Sequence, residues 1–461
     1  MSGLDLSGVF KRDVRSVALF GFGRSAGALI PHLLSSGYRV TVRDDRQGIS
    51  KDLPQGVRYL FGNEATANMN EDIIVFAPSV RRDRFQGTET ARSAIFTSDT
   101  EIFFKLFSGK AFAVSGSSGK STTCTMLYEI LSSAGDAHLI GNIGVPMTDA
   151  LLSKNPTRAV CEISSFNLQY DEIRAYRAAI TNIKRNHLNW HKDFGEYTEA
   201  KRALLSSSLC FSVNADDPLT SDLASSSSCY ACFSLKFDYN SLHKRHKEKI
   251  IFTRTQNGIM RNGELIIPGD LIAEYPEHNV YNLLTALSLA DGEYDVKALP
   301  SFISSHTPLP HRCEKFLTDS GICYIDSSID TSPDRTLATL SSLSGDMILL
   351  LGGRSKGEGY EPLIPIIENK CKALFVFGES RDRIVSELGH IGLPISIHAT
   401  MREATLASLK RCGSGDILLL SPASTSYDEF SSFEERGNIF KKIITDAVRQ
   451  KNTGDKNEKD N

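Results

Sequence analysis

At 461 residues the chain exceeds what one hydrophobic core organises, and a prior of roughly 100–200 residues per domain predicts about three. Lys and Arg total 52 against 55 Asp and Glu, a formal net charge of -3, so no global positive field recruits nucleic acid or an anionic membrane. No apolar run approaches the ~20 residues of a membrane span, charges begin at Asp5 where an export signal would be apolar, and nine scattered cysteines fit a reducing cytoplasm.

The first element is the apolar strand Val17 to Phe20, which breaks into the glycine turn Gly21-Phe22-Gly23-Arg24-Ser25-Ala26-Gly27 and a helix over Ala28 to Ser35. A second strand, Arg39 to Val42, ends at Asp44-Asp45-Arg46, and a third, Asp72 to Ala77, stops at Pro78. Strand, glycine turn, helix, strand predicts a Rossmann-like first domain over residues 1–97.

A new strand, Ala111 to Ser115, enters Gly116-Ser117-Ser118-Gly119-Lys120-Ser121-Thr122 and then a helix. Strands at Arg158 to Ile163, Ala178 to Ile183 and Leu209 to Asn214 follow, and 236–275 reads as a meander with the basic run His243 to Lys249 as a solvated turn. These make a central α/β domain over 98–305. Cys229-Tyr-Ala-Cys232 has no second ligand pair beside it, so the spacing argues against zinc or redox chemistry.

Thr307-Pro308-Leu309-Pro310 is a stiff linker. Beyond it, strands at Met347 to Leu351, Ala373 to Phe377 and Asp416 to Leu420 alternate with helices near 332–343, 380–388, 402–411 and 433–449. The third domain, 306–449, is a second Rossmann-like sheet, and residues 450–461 are too polar to fold and form a disordered tail.

The strongest chemical signal is the glycine loop at 116–122 between strand and helix. Its N–H groups can close on phosphate oxygens, Lys120 neutralises their charge, and Ser121 can hold Mg2+. Val114 stands five before Gly119 where a strict P-loop has glycine, so the loop is a shortened form. Glu162 ends an apolar strand, where ligands of α/β sheets gather, and is placed for a metal.

The ordered series GSSGKST (116–122), NIG (142–144), EISSF (162–166), NHLNWH (186–191), AK (200–201), NADDP (214–218), HNxxN (278–282) and PHRCE (310–314) resembles the Mur ligase family of bacterial cell-wall synthesis. The run Ser421-Pro422-Ala423-Ser424-Thr425-Ser426-Tyr427, continuing to Gly437, is similar to the branch that adds D-glutamate to UDP-N-acetylmuramoyl-L-alanine. The resemblance implies an ATP-dependent acid–amino-acid ligase working through an acyl phosphate, with two Mg2+ ions, in the cytoplasm and as a monomer.

Residue by residue, it implies that Gly116, Ser117, Ser118, Gly119, Lys120, Ser121 and Thr122 hold ATP phosphates with Arg312, while Asn282 meets adenine and Asp326 the ribose. Ser121 and Glu162 would hold one Mg2+, His187 and Lys201 the other. Lys120, His187, Lys201 and Arg312 are the catalytic set. An ammonium has no lone pair for a metal, so Lys201 is expected to carry a carbamate. Gly23, Arg24, Ser25, Asp44 and Arg46 would bind UDP, and Asn142 the muramoyl-alanine arm. Lys356, Ser426, Tyr427 and Phe433 would bind D-glutamate. Where the family often reads DSKAT, this chain reads Asp326-Ser327-Ser328-Ile329-Asp330, which removes a lysine near an anionic substrate.

Three other readings compete. Gly21-x-Gly23-x-x-Ala26 followed by Asp44 suggests an NAD-dependent oxidoreductase but leaves the later motifs unused. A related ligase with another acceptor, L-alanine-adding or folylpolyglutamate-type, would share the same ATP-using loop. A P-loop motor or switch would release phosphate without an amino-acid acceptor.

Overall fold

The computed structural model describes residues 4–46, 54–85, 87–154, 156–185, 190–273, 275–305, 310–355, 357 and 359–459. The chain divides into two compact units, 1–306 and 307–461. The first unit holds two sheets and the second unit one.

The first sheet contains β1 (Ser16–Phe20), β2 (Arg39–Asp44), β3 (Val57–Phe61), β4 (Ile73–Phe76) and β5 (Ile95–Thr97), all parallel in the order β3-β2-β1-β4-β5. Its central strands are continuous apolar runs, as expected of strands covered on both faces. The order reverses between β1 and β4, and the turn after β1 opens into that crevice, where α/β sheets bind ligands. Gly21 has φ +92°, and a Cβ there would lie 2.7 Å from that of Ala77, so the turn requires glycine twice over.

The central sheet has nine strands. These are β6 (Lys110–Ser115), β7 (His138–Gly141), β8 (Arg158–Glu162), β9 (Arg177–Ile180), β10 (Cys210–Asn214), β11 (Cys229–Ser234), β12 (Ile250–Thr255), β13 (Gly258–Arg261) and β14 (Glu264–Pro268). Their order is β14-β13-β12-β11-β10-β9-β6-β8-β7, antiparallel only at β12-β13-β14. The chain leaves β6 to one side and returns to the other, so the crevice at the carboxyl ends of β8, β6 and β9 is the switch point of this sheet. The predicted meander is present, but residues 239–245 form a helix: Asp238 caps it through Ser241 N, and His243, Lys244 and Arg245 occupy its last turn, where cations complement the dipole. The basic run is therefore a helix end in part, where a solvated turn was predicted. Cys229 and Cys232 are strand residues, buried and free.

Buried polar groups tie the first sheet to the second. The Arg82 guanidinium meets Asp171 Oδ1 at 2.6 Å, and Ser98 donates to Asp171 Oδ2 at 2.6 Å. His32 pairs with Asp149 at 2.9 Å.

The second unit is built on β15 (Glu314–Asp319), β16 (Ile322–Asp326), β17 (Met347–Gly352), β18 (Cys371–Phe377), β19 (Ile395–Ile397) and β20 (Ile417–Leu420). The order is β15-β16-β20-β17-β18-β19, with only β15 antiparallel. The last helix runs Phe433–Lys459. Among the described residues no helix is long and apolar enough to cross a membrane.

Candidate active site

The phosphate-type loop leaves the centre of the nine-stranded sheet. Gly116 (φ +147°) and Gly119 (φ +80°) have backbone conformations that favour glycine, and added Cβ atoms would lie 1.9 Å from Thr181 Oγ1 and 2.3 Å from Asn282 Oδ1. The loop is held from the neighbouring strand: Thr181 Oγ1 donates to Ser118 O at 2.6 Å, Asn182 Oδ1 accepts from Ser118 N, and Asn182 O accepts from Ser117 N at 2.9 Å. Ser117 Oγ also bonds the Tyr197 hydroxyl at 2.7 Å. Sequence reasoning missed Thr181, Asn182 and Tyr197 as loop supports. The available signal was that residues 181–182 end the strand beside β6.

Two ammonium groups converge here. Lys120 Nζ donates to Gly116 O at 2.8 Å, and Lys201 Nζ donates to the same carbonyl at 3.0 Å and to Ser115 Oγ at 3.2 Å. Lys201 is 1% exposed on the helix Phe194–Ser207. Burial first, then the Lys120 charge, hold its pKa well below the usual lysine range. The neutral amine that carbamylation needs is thereby favoured.

Glu162 closes β8 and is 6% exposed, as is Ser121 in the first turn of the helix Lys120–Ser133. Glu162 Oε2 is buried without a hydrogen-bond partner. A buried carboxylate oxygen left without a donor is costly unless a cation completes it, so the pair Ser121 and Glu162 fits a hard, oxygen-seeking ion such as Mg2+. Lys201 as an ammonium fits no metal, and His187 lies outside the described residues. Asn282 is 4% exposed on the buried helix Glu277–Ala290 and packs over Gly119, with its Oδ1 accepting from Thr123 Oγ1 at 3.3 Å.

In the first sheet, Asp44 closes β2 and accepts from Phe22 N (2.7 Å), Arg46 N (2.9 Å) and the Arg46 guanidinium (2.8 Å). Burial alone would raise its pKa, but these bonds outweigh it and the carboxyl sits below its usual value. Asp44 thus braces the glycine turn, and Arg46 is drawn back to it. Arg24, opening the helix after the turn, donates to Gly141 O (2.8 Å) and Asn142 O (3.1 Å), which brings the predicted UDP region and the NIG loop together. Gly23 is that helix's N-cap, with no side-chain cap bond, and Ser25 lies in its first turn. A cavity of about 510 Å3 lined by Asp45, Ser79, Val80, Arg81, Asp83 and Arg84 opens beside these residues. A larger cavity, about 610 Å3, lies at the opposite ends of the central strands and is lined by none of the predicted residues.

In the second unit, Asp326 ends β16, is fully buried, and meets His311 Nδ1 at 2.6 Å. His311, Glu314 and Asp326 are the one metal-like cluster among the described residues, but they satisfy one another: His311 N donates to Glu314 Oε2 at 2.7 Å, and Lys441 pairs with Glu314. Arg312 is half-buried beside them. Ser426 is buried, Tyr427 is 63% exposed, and Phe433 packs edge-on to His311. Lys356 lies outside the described residues. Ser328, where the family often has lysine, is fully buried, and the guanidinium of Arg436 supplies a cation there instead. Its Nε donates to Ser328 Oγ (2.9 Å), while its two terminal nitrogens donate to Ser328 O (2.8 Å) and Ser424 O (3.0 Å). Nothing in the sequence singled out Arg436 beyond its place in the 421–437 run.

Residues 114–290 match the family described as Mur ligase middle domain. A UDP-N-acetylmuramoylalanine--D-glutamate ligase of Ruminiclostridium cellulolyticum is 32% identical over 94% of this chain and 98% of its own length. Among solved structures, the UDP-N-acetylmuramate-alanine ligase MurC of Thermotoga maritima superposes with a TM-score of 0.57 at 18% identity, covering 94% of this chain and all of that one. The MurF ligase of the same organism, in complex with ADP, gives a TM-score of 0.50 at 13% identity over 95% and 96% of the two chains.

Proposed function

The chain belongs to the Mur ligase family, and we propose that it joins D-glutamate to UDP-N-acetylmuramoyl-L-alanine with cleavage of ATP to ADP, in peptidoglycan precursor synthesis. The observation that carries the chemistry is the convergence of Lys120 and Lys201 on the Gly116 carbonyl, at the carboxyl end of the strand paired with the one that Glu162 closes, where Glu162 Oε2 is buried without a hydrogen-bond partner. That arrangement suits a polyphosphate with its cation. The acceptor is supported by near full-length similarity to a D-glutamate-adding relative.

An amide cannot form directly from a carboxylate, because oxide is a poor leaving group. Phosphorylation of the L-alanine carboxylate by ATP gives an acyl phosphate, and the D-glutamate amine then displaces phosphate. The protein's part in the first step is positioning and charge neutralisation. With Ser117 N and Ser118 N tied to Asn182, the remaining N–H groups of the 116–122 loop cradle phosphate oxygens, and Lys120 leaves its loop carbonyls to reach them. Ser121 and Glu162 would hold one Mg2+, which when bound would neutralise developing charge on the transferred group. His187 and Lys201 would hold a second, Lys201 as the carbamate formed from its amine and CO2 with release of one proton.

Asn282 is assigned to adenine, and Arg312 and Asp326 to phosphate and ribose. Gly23, Arg24, Ser25, Asp44 and Arg46 take UDP, with Arg24 exchanging the carbonyls of Gly141 and Asn142 for diphosphate oxygens. Asn142 takes the muramoyl-alanine arm. Lys356, Ser426, Tyr427 and Phe433 take D-glutamate. Nine free cysteines support a cytoplasmic setting. The test is phosphate release with UDP-N-acetylmuramoyl-L-alanine and ATP in the presence of D-glutamate, L-alanine, L-lysine or meso-diaminopimelate. D-Glutamate alone should sustain turnover, and turnover with another amino acid would reassign the acceptor.

A further inference from the structure

His191 is an anomaly of the central domain. Its side chain is fully buried, yet both ring nitrogens lack a hydrogen-bond partner. The nearest carboxylate oxygen, Glu196 Oε2, is 3.6 Å from Nδ1, beyond hydrogen-bond reach, and already accepts from Lys192 N at 2.7 Å. Buried polar groups of native proteins are paired, so a group left bare in a site built for ligands is a group whose partner arrives with the chemistry.

What lies around it narrows the partner. The Tyr197 ring is in contact with His191 at 5.2 Å between centroids, and Lys201 Nζ stands over the same ring at 4.8 Å. The Tyr197 hydroxyl is engaged with Ser117. Phe166, 6.4 Å away, offers no acceptor from its ring. Unmodified Lys201 spends two donors on Ser115 Oγ and Gly116 O, and no hydrogen bond links its Nζ to either ring nitrogen of His191.

We propose that His191 is a positioning residue for Lys201 in its modified form, with a ring N–H of His191 donating a hydrogen bond to an oxygen of a carbamate on Lys201 Nζ. The inference rests on the carbamate reading given above. The amine adds to CO2, the new N–C bond forms as one C=O π pair moves to oxygen, and the nitrogen releases a proton to solvent. The product carries one negative charge shared over two oxygens. One donor held at the side of that group fixes its plane, as outer partners do for metal ligands, and slows its loss as CO2.

The test uses the full-length enzyme equilibrated with 13C-bicarbonate, reading the carbamate carbonyl resonance by NMR, with Lys201→Ala to assign it. His191→Gln keeps a donor; His191→Met has nearly the same shape and none. The labelled fraction at fixed bicarbonate should fall about tenfold in His191→Met, and the bicarbonate needed for half-maximal ligation should rise in step. His191→Gln should recover most of both, with the KM for ATP unchanged throughout. Equal labelling of the Gln and Met variants overturns the role of His191 while leaving the carbamate standing. No labelling of the wild-type chain overturns the carbamate, and the role of His191 with it.

Discussion

Lys120 and Lys201 donate to one and the same backbone oxygen, that of Gly116, at 2.8 and 3.0 Å. Two cations on one carbonyl repel each other, and the buried one yields: the Lys120 charge is the second cause, after burial, of the depressed pKa of Lys201. The lysine proposed to bind phosphate thus favours the neutral amine of the lysine proposed to hold metal. Lys120→Ala should lower ligation at least about 100-fold, since it removes a cation from the transferring phosphoryl group. Its side chain is not in the core, so circular dichroism and the melting temperature should match wild type. Turnover above a tenth of wild type would remove Lys120 from the chemistry.

The same burial makes a statement about stability. In CO2-free, metal-free buffer Lys201 titrates lower in the folded chain than its ordinary value of 10.5, so the unfolded chain binds more protons across that window. Stability contributed by Lys201 therefore rises with pH from its folded pKa toward 10.5. Melting temperatures of wild type should climb relative to Lys201→Met over that range, and bicarbonate with Mg2+ should shrink the difference near neutral pH. Parallel melting curves at all pH values would mean that Lys201 is not buried as an amine.

Much of this was legible in the sequence because parallel strands buried on both faces read as apolar runs, and because a phosphate loop is a local pattern. The strands ending at Phe20, Ser115, Glu162 and Leu420 fell within a residue or two of prediction. What was illegible is non-local or lacks apolar content. Strands Val57–Phe61 and Ile95–Thr97 sit at sheet edges with half-exposed sequences, and the helix over 239–245 was masked by its basic side chains. The braces of the site were hidden too: Arg436 meets Ser328 across 108 residues, and Thr181 meets Ser118 across 63. His191 showed only as one histidine in a motif. Its burial without a partner exists only in three dimensions.

Asp44→Asn tests the turn of the first sheet. The carboxylate gathers Phe22 N, Arg46 N and the Arg46 guanidinium, and charge-assisted bonds of this kind contribute about 1.5–3 kcal/mol each. The variant should fold, because the sheet core is untouched, yet let the turn at Phe22 relax. The KM for UDP-N-acetylmuramoyl-L-alanine should rise about tenfold or more, with that for ATP unchanged. With a depressed folded pKa, the stability from Asp44 is present above its ordinary value of 3.8 and lost as pH falls through the folded value. An acid melting series should show wild type and Asp44→Asn converging at low pH, and curves that stay apart would place the effect elsewhere.

Arg436 holds three pieces of the second unit together. Its guanidinium ties Ser328, just past β16, to Ser424, two residues before Ser426, and Ser328 Oγ in turn donates to Phe433 O at 2.8 Å. Burial draws its pKa down to about 10 against the opposing pull of Asp428, Asp326, Asp330 and Glu429, so it stays protonated at neutral pH. Three of its donors are taken by Ser328 and Ser424 and it is fully buried, so its part is to set the 424–433 segment and not to grip substrate. Arg436→Met keeps an apolar stem but strands the carbonyls of Ser328 and Ser424, at about 1–3 kcal/mol each. The melting temperature should drop by several degrees. If the segment it sets binds D-glutamate, the KM for D-glutamate should rise well beyond that for ATP, and Ser426→Ala and Phe433→Ala should share that selectivity without the loss of stability. Arg436→Lys should fall between, since one ammonium can meet some of these oxygens but not all of them in the fixed geometry of a guanidinium. Equal rises in both KM values across the three alanine and methionine variants would make this segment a general support of the unit and move the D-glutamate site elsewhere.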